Sequence, residues 1–195
     1  MSGPGAVQES ERNSLRDRNR ELATLLEVSR RLASTLQLDE ILQAATDGVT
    51  RLHALKTAAV YLGEGDVLRL SATTPPLPPE FPDDLRLIAL ADHPYLRKAV
   101  ESGAPTFLED AASAPLTAAE AAVTHLRGLR SILFLPLTAG VRCVGALIVG
   151  SVDGPVALSP AEVDSCRTLA NLAALAVQNA QLYEAGQRDA ADLER

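Results

Sequence analysis

The sequence predicts an α+β fold, in which antiparallel hairpins form a sheet with helices laid over one or both faces. Three observations carry this. Residues 132–137 and 144–149 are two apolar runs joined at Thr138-Ala139-Gly140-Val141, each with apolar groups on both pleat faces, so this hairpin belongs mid-sheet and covered on each side. A strongly marked helix follows, with Ser159 as N-cap, Pro160 in the first helical position, Glu162 completing a capping box and an Ala/Leu-rich run to Tyr183. Residues 58–62 and 67–72, separated by Gly63-Glu64-Gly65-Asp66, read as a second antiparallel hairpin that supplies partner strands.

Taken in order, residues 1–10 are small and polar and are expected to be disordered. From Glu11 the chain is charged and helical, with Leu15, Leu22 and Leu36 at a seven-residue step, Ser29 in the missing place and arginines and glutamates around them. That stripe favours a short two-helix coiled coil with a second copy over a helix packed only on its own domain. A break at 35–39 leads to a second helix from Glu40 to about Leu52, with Asp39 as its cap and Ile41, Leu42, Ala45 and Val49 inward. After the first hairpin, Pro75, Pro76, Pro78, Pro79 and Pro82 make residues 73–84 an extended loop or flap. Helical turns are expected over 85–91 and a helix over 94–102, ended by Gly103. Residues 104–108 form a strand placed at a sheet edge by Pro105, and 118–127 an Ala-rich helix before Gly128. The expected organisation is a disordered start and N-terminal helix (1–37), a core domain (38–183) and a C-terminal helical extension (184–195).

The 195 residues suit one core-forming domain with extensions. With three Phe, three Tyr and no Trp, the core must be built from Ala, Leu and Val. A net charge of −7 argues against a nucleic-acid-binding surface and against attraction to anionic membranes. The start of the chain lacks a signal peptide's charged and apolar regions, and no run has the roughly 18 apolar residues of a membrane span, so a cytoplasmic protein is expected. Basic charge is nearly all arginine, which together with the many Ala and Pro suggests a GC-rich bacterial genome. Cys143 and Cys166 stand where small apolar residues would serve and are expected to be buried thiols, with too few ligands nearby for zinc.

At this point the chain resembles the GAF family of bacterial signalling domains. The matching residues are Leu133-Phe-Leu-Pro-Leu137, Gly140, Val144-Gly-Ala-Leu-Ile-Val-Gly150, Leu158-Ser-Pro-Ala-Glu162 and the run from Leu169 to Tyr183. Upstream, Leu25 to Leu42 is similar to the lead-in helix that precedes such domains, and Val100 to Asp110 to the family's helix, glycine, edge strand and acidic turn. The resemblance spans roughly residues 22 to 183. It implies a GAF/PAS-like central antiparallel sheet of about five to six strands, with N- and C-terminal helices packed together on one face and a ligand pocket on the other. It also implies a homodimer through the terminal helices and a sensory, non-catalytic role that passes signals to kinase, cyclase, phosphatase or regulator modules, as in two-component systems.

Under that resemblance the pocket is expected between the sheet and the Pro-rich flap, lined by Tyr61, Leu70, Phe81, Tyr95, Phe107, His125 and Phe134. His125 stands near the place where haem-binding members resemble this chain in setting an axial histidine; otherwise it is a surface or capping residue. His93, before Pro94, could contact a ligand from the flap but reads first as a turn residue, and Arg130 and Arg142 could hold an anion but read first as strand-end arginines reaching solvent. Cyclic-nucleotide-binding members carry an Asn-Lys, Phe and paired-acid pattern of which only Glu162 remains, with Leu158 in the phenylalanine's place and Val163 in the second acid's. Free-methionine-sulfoxide reductases share the fold but need activated cysteines around the pocket, where neither Cys143 nor Cys166 is placed. A bilin would need a cysteine at the pocket mouth. No resident cofactor and no metal are expected, haem being the exception to test. The remaining alternative is a domain whose pocket is filled by its own side chains and which serves dimerisation or partner binding alone.

Overall fold

The structure, a computed structural model, describes residues 4–193 apart from Ala54 and Glu64; side chains are described for residues 9, 12–53, 55–63 and 65–188. Six strands form one sheet: β1 (Thr57–Leu62), β2 (Val67–Thr74), β3 (Leu87–Ala89), β4 (Thr106–Leu108), β5 (Ser131–Ala139) and β6 (Arg142–Ser151). Their spatial order is β3-β2-β1-β6-β5-β4, with every neighbouring pair antiparallel. Among the described residues there are five α-helices: α1 (Pro4–Ala33), α2 (Leu38–Val49), α3 (Pro94–Ser102), α4 (Ala118–Leu126) and α5 (Pro160–Leu193).

The β5–β6 hairpin is central, as its two-faced apolar pattern requires. Gly140 and Val141 make its turn, and Gly140 takes φ 65°, a conformation open to glycine at little cost. Across the other edge β6 pairs with β1, bringing Gly145 opposite Leu62. A Cβ on Gly145 would stand 2.1 Å from the Tyr61 carbonyl oxygen, so the pairing of β1 and β6 leaves no room for a side chain at this position.

Period-two alternation sends side chains of the same strands into two separate cores. Ala58, Val60, Leu133, Leu135, Leu137, Leu147 and Val149 face α1, α2 and α5 and join Val28, Leu32, Ile41, Val49, Leu169, Ala173 and Val177. Ala59, Tyr61, Ile132, Phe134 and Ala146 face the opposite way, against Leu68, Ile88, Leu90, Leu96 and Ala99. The terminal helices therefore pack on one face and the short middle elements on the other. Gly48 shows how closely the helices approach: a Cβ there would meet a Val28 methyl at 2.6 Å.

Helices α1 and α5 run in the same direction. The Ser165 hydroxyl donates to Glu21 near the start of α5, and farther along Ser29 and Leu36 share a groove with Leu172, Leu175, Ala176 and Asn179. The α5 start is capped as its sequence dictates: Ser159 N–H donates to Glu162 Oε2 at 2.8 Å, and Glu162 N–H to Ser159 Oγ at 3.3 Å. That backbone donor holds the Glu162 carboxyl below the usual carboxylate range.

Several expectations are corrected. Residues 4–10, expected to be disordered, are helical, since Pro4 in a first turn forfeits no hydrogen bond and the following residues include Ala6, Gln8 and Glu9; residues 1–3 and 194–195 lie outside the described residues. Helix α2 starts earlier, with Gln37 as N-cap, leaving Asp39 in the first turn where a negative charge suits the helix dipole. The turns expected over 85–91 are short 3₁₀ turns around a sixth strand, β3, which hydrogen-bonds to β2 through the register Leu68↔Ile88. Cys166 is buried, whereas Cys143, near the exposed start of β6, is only half-buried.

Candidate functional site

A cavity of about 50 Å³ lies on the second face of the sheet, under α4 and the start of α3. Its floor comes from β1, β5 and β6, through Thr57, Ala59, Tyr61, Ile132, Phe134 and Ile148. Its cover comes from Ile88, His93, Leu96, Leu116, Glu120, Val123, Thr124, Arg127 and Leu129. The volume exceeds one water's share of liquid, about 30 Å³, and is far below the roughly 300–1,000 Å³ of sites that enclose drug-sized ligands. Most of the lining is aliphatic, so the few polar groups that reach it decide its chemistry.

The cover is fastened by one carboxylate. Thr117 caps α4 in a reciprocal box with Glu120: Glu120 N–H donates to Thr117 Oγ1 at 3.2 Å, and Thr117 N–H donates to Glu120 Oε2 at 3.1 Å. The other oxygen, Oε1, accepts from the Tyr95 N–H at 3.1 Å, at the start of α3. Thr117 Oγ1 also donates to the Asp92 carbonyl at 2.6 Å. Glu120, 4% exposed, thus ties the N-terminus of α4 to that of α3 across the cavity.

Arg127 follows α4 directly, and its guanidinium donates to the Thr57 hydroxyl on β1. Burial pushes its pKa down, with Tyr61 acting against that shift; burial pushes the Tyr61 phenol up, opposed by Arg127 and Arg86. The His93 Nδ1 stands 3.0 Å from the Ala89 carbonyl, which fixes the ring beside the cavity.

Of the seven residues expected to line a pocket, Tyr61 and Phe134 do so. Tyr95 stacks behind Phe134, with ring centroids 6.4 Å apart and planes 10° from parallel. Leu70, opposite Tyr61 in the β1–β2 register, packs against the same core without reaching the cavity. Phe81 is buried near Arg86, whose guanidinium carbon lies 5.8 Å from its ring centroid. Phe107 is opposite Leu133 in the β4–β5 register and so shares its pleat face, against the helix-side core. His125 is exposed and borders a second, outer groove with Ala112, Ala121 and Arg130. The Pro-rich loop is not the cover: residues 73–84 contribute nothing to the lining, and the roof is α4 with the start of α3.

The sequence reading missed Glu120 and Arg127. Thr117-x-x-Glu120 is a capping-box spacing that was available as a signal; Arg127 carried none. The arrangement does not suit a haem, because His125 faces the outer groove and the cavity is far too small for the macrocycle. Among the described residues no group of three or more His, Cys, Asp or Glu could hold a metal, and no helix is long and apolar enough to cross a membrane. Neither cysteine reaches the cavity, and burial pushes the Cys166 thiol up to about 12.

No curated protein sequence matches the chain significantly. Solved structures do. The GAF domain/HD domain protein from Geobacter sulfurreducens is 26% identical, with a TM-score of 0.64 over 78% of this chain and 99% of that one. The GAF domain of an Acinetobacter phosphoenolpyruvate-protein phosphotransferase matches at 18% identity and TM-score 0.69, covering 84% of this chain and 96% of that one. The free methionine-R-sulfoxide reductase from Neisseria meningitidis, solved with its substrate, matches at 16% identity and TM-score 0.66 over 84% of this chain and 91% of that one. At such identities the last two speak to fold alone. The family profile described as GAF domain matches residues 35–178. A six-stranded antiparallel sheet, helices from both termini on one face and a profile match over most of the length lead to one assignment: the chain belongs to the GAF domain family.

Proposed function

We propose that the chain is a non-catalytic sensory module of a bacterial signal-transduction protein. In this reading it binds a small molecule in the cavity under α4 and relays its state through α1 and α5 of a homodimer. The observation that supports this most is the division of the sheet between two cores. Ile148 meets the cavity from the strand that sends Leu147 and Val149 to the helix-side core. A ligand with different contacts in two cavity states would shift the helix packing on the far side, which is the thermodynamic requirement for a relay. Non-catalysis is supported by the placing of both thiols away from the cavity and by the raised Cys166 pKa. Dimerisation is supported by exposed leucines on the terminal helices, Leu22 at 50% and Leu182 at 62%. The output partner in this reading is a kinase, cyclase, phosphatase or regulator module, and the setting is the bacterial cytoplasm.

The small volume of the cavity favours one second reading, a GAF domain filled by its own side chains and acting through helix contacts alone. A thermal-shift screen of nucleotides, amino acids, small organic acids and amides, and haem separates the two. A saturable rise in Tm for one class is expected. Uniform silence overturns the sensor and leaves the partner-binding module.

A further inference from the structure

Two ionisable groups of opposite sign border the cavity, and the fold treats them differently. Both oxygens of Glu120 are engaged by the N–H groups of Tyr95 and Thr117, so the carboxylate is committed to holding α3 and α4 together. Arg127 is not matched in this way. It donates to the Thr57 hydroxyl and forms no ion pair with a carboxylate among the described residues. A guanidinium carries five N–H donors in a planar fork, and most of this one's remain unassigned. The Tyr61 hydroxyl, on the same cavity, also has no hydrogen-bond partner among the described residues.

We propose that the cavity takes a small oxyanion, a carboxylate-class monoanion of a few heavy atoms, held by the fork of Arg127 with the Tyr61 hydroxyl as a second donor. This rests on the sensor reading above and names the class of its ligand. Charge selects the class: a half-buried guanidinium without an ion-pair partner among the described residues gains more from a carboxylate than from a neutral amide, because the paired N–H···O bonds are charge-assisted. The aliphatic walls of Ala59, Ile88, Leu96, Val123 and Leu129 strengthen that attraction by lowering the local dielectric. Size selects within the class. The space of about 50 Å³ suits formate or acetate and is too small to enclose a nucleotide or an aromatic acid. Leu116, Thr124 and Leu129 border both the cavity and the outer groove that carries His125 and Arg130, and so form the wall between the two.

The test titrates sodium formate and sodium acetate into the full chain, with formamide and acetamide as neutral counterparts and ionic strength held constant with sodium chloride. Thermal shift and the ¹H–¹⁵N resonances of the arginine Nε–Hε groups are the readouts. A saturable response to an anion is expected, with one arginine resonance moving that is missing from the Arg127→Gln spectrum. Affinity in Arg127→Gln should fall by about tenfold or more. Unchanged formate and acetate affinity in that variant overturns the anion site, as does an equal response to the two amides, which would leave a neutral-ligand sensor standing. Silence to both anions also overturns it, and the broader screen then decides the sensor reading separately. If Arg127→Gln loses its folded circular dichroism, Arg127→Lys takes its place, and an unmoved arginine spectrum in the unmodified chain is then sufficient to overturn the site.

Discussion

The two thiols differ first in burial. Cys166 sits on α5 in the helix-side core with its pKa pushed up to about 12, by burial first and then by the nearby Glu162 and Glu21 charges. Its unfolded pKa is about 8.5. At neutral pH it is an unreactive thiol, whereas Cys143 is half-buried near a hairpin turn. Alkylation with iodoacetamide at pH 8 should therefore modify Cys143 first and reach Cys166 only on unfolding, as read by peptide mass spectrometry. Native labelling of both at similar rates would contradict the packing of α5. The linkage has a definite sign. Above about pH 8.5 the unfolded chain releases the Cys166 proton while the folded chain keeps it, so stability falls as pH rises toward 12. The slope from this one group is at most about 1.4 kcal/mol per pH unit, and Cys166→Ala should reduce it in urea denaturation across that range.

At the scale of elements, the cover of the cavity depends on one side chain. Glu120→Ala removes the acceptor shared by Tyr95 and Thr117 and leaves two N–H groups to find water. The expected cost is about 1–3 kcal/mol in chemical denaturation, with faster amide hydrogen exchange at Tyr95 and Thr117 than in the central strands. Unchanged exchange at both would show that α3 and α4 are held by apolar packing alone. The same scale explains what could be read from the chain in advance. The β5–β6 hairpin and the Ser159–Glu162 cap are local patterns, written within a few residues of each other, and both stand where the sequence puts them. Strand β3 is three residues long and is defined by its register with β2, which no local period announces. Phe107 is apolar and close to the right region, yet its face is set by standing opposite Leu133 in a pairing between separate segments. Arg127 shows the limit for the site: its hydrogen bond to Thr57 spans some seventy residues of chain and was not legible before the sheet was assembled.

Across the whole molecule, the proposed homodimer makes a direct demand on the terminal helices. Leu15, Leu22 and Leu26 on α1 and Leu175 and Leu182 on α5 are exposed, although the same helices bury Val28, Leu32, Leu169 and Val177 against the sheet. A double substitution, Leu22→Glu with Leu182→Glu, should shift the chain from dimer to monomer in multi-angle light scattering while its circular dichroism is retained. Monomer mass for the unmodified chain at concentrations on the order of tens of micromolar would overturn the dimer.

The parallel course of α1 and α5 has a mechanical consequence. By the helical rise of about 1.5 Å per residue, α1 extends roughly 25 Å ahead of Glu21, the residue beside the start of α5. At the other end α5 continues roughly 20 Å past Ala180, its last buried residue in the core. One shaft therefore enters at one pole and the other leaves at the opposite pole, side by side for the span between. Under the proposed relay, such a unit would join others in series along a common axis, and a rotation begun at the sheet would pass on in the same direction along both shafts.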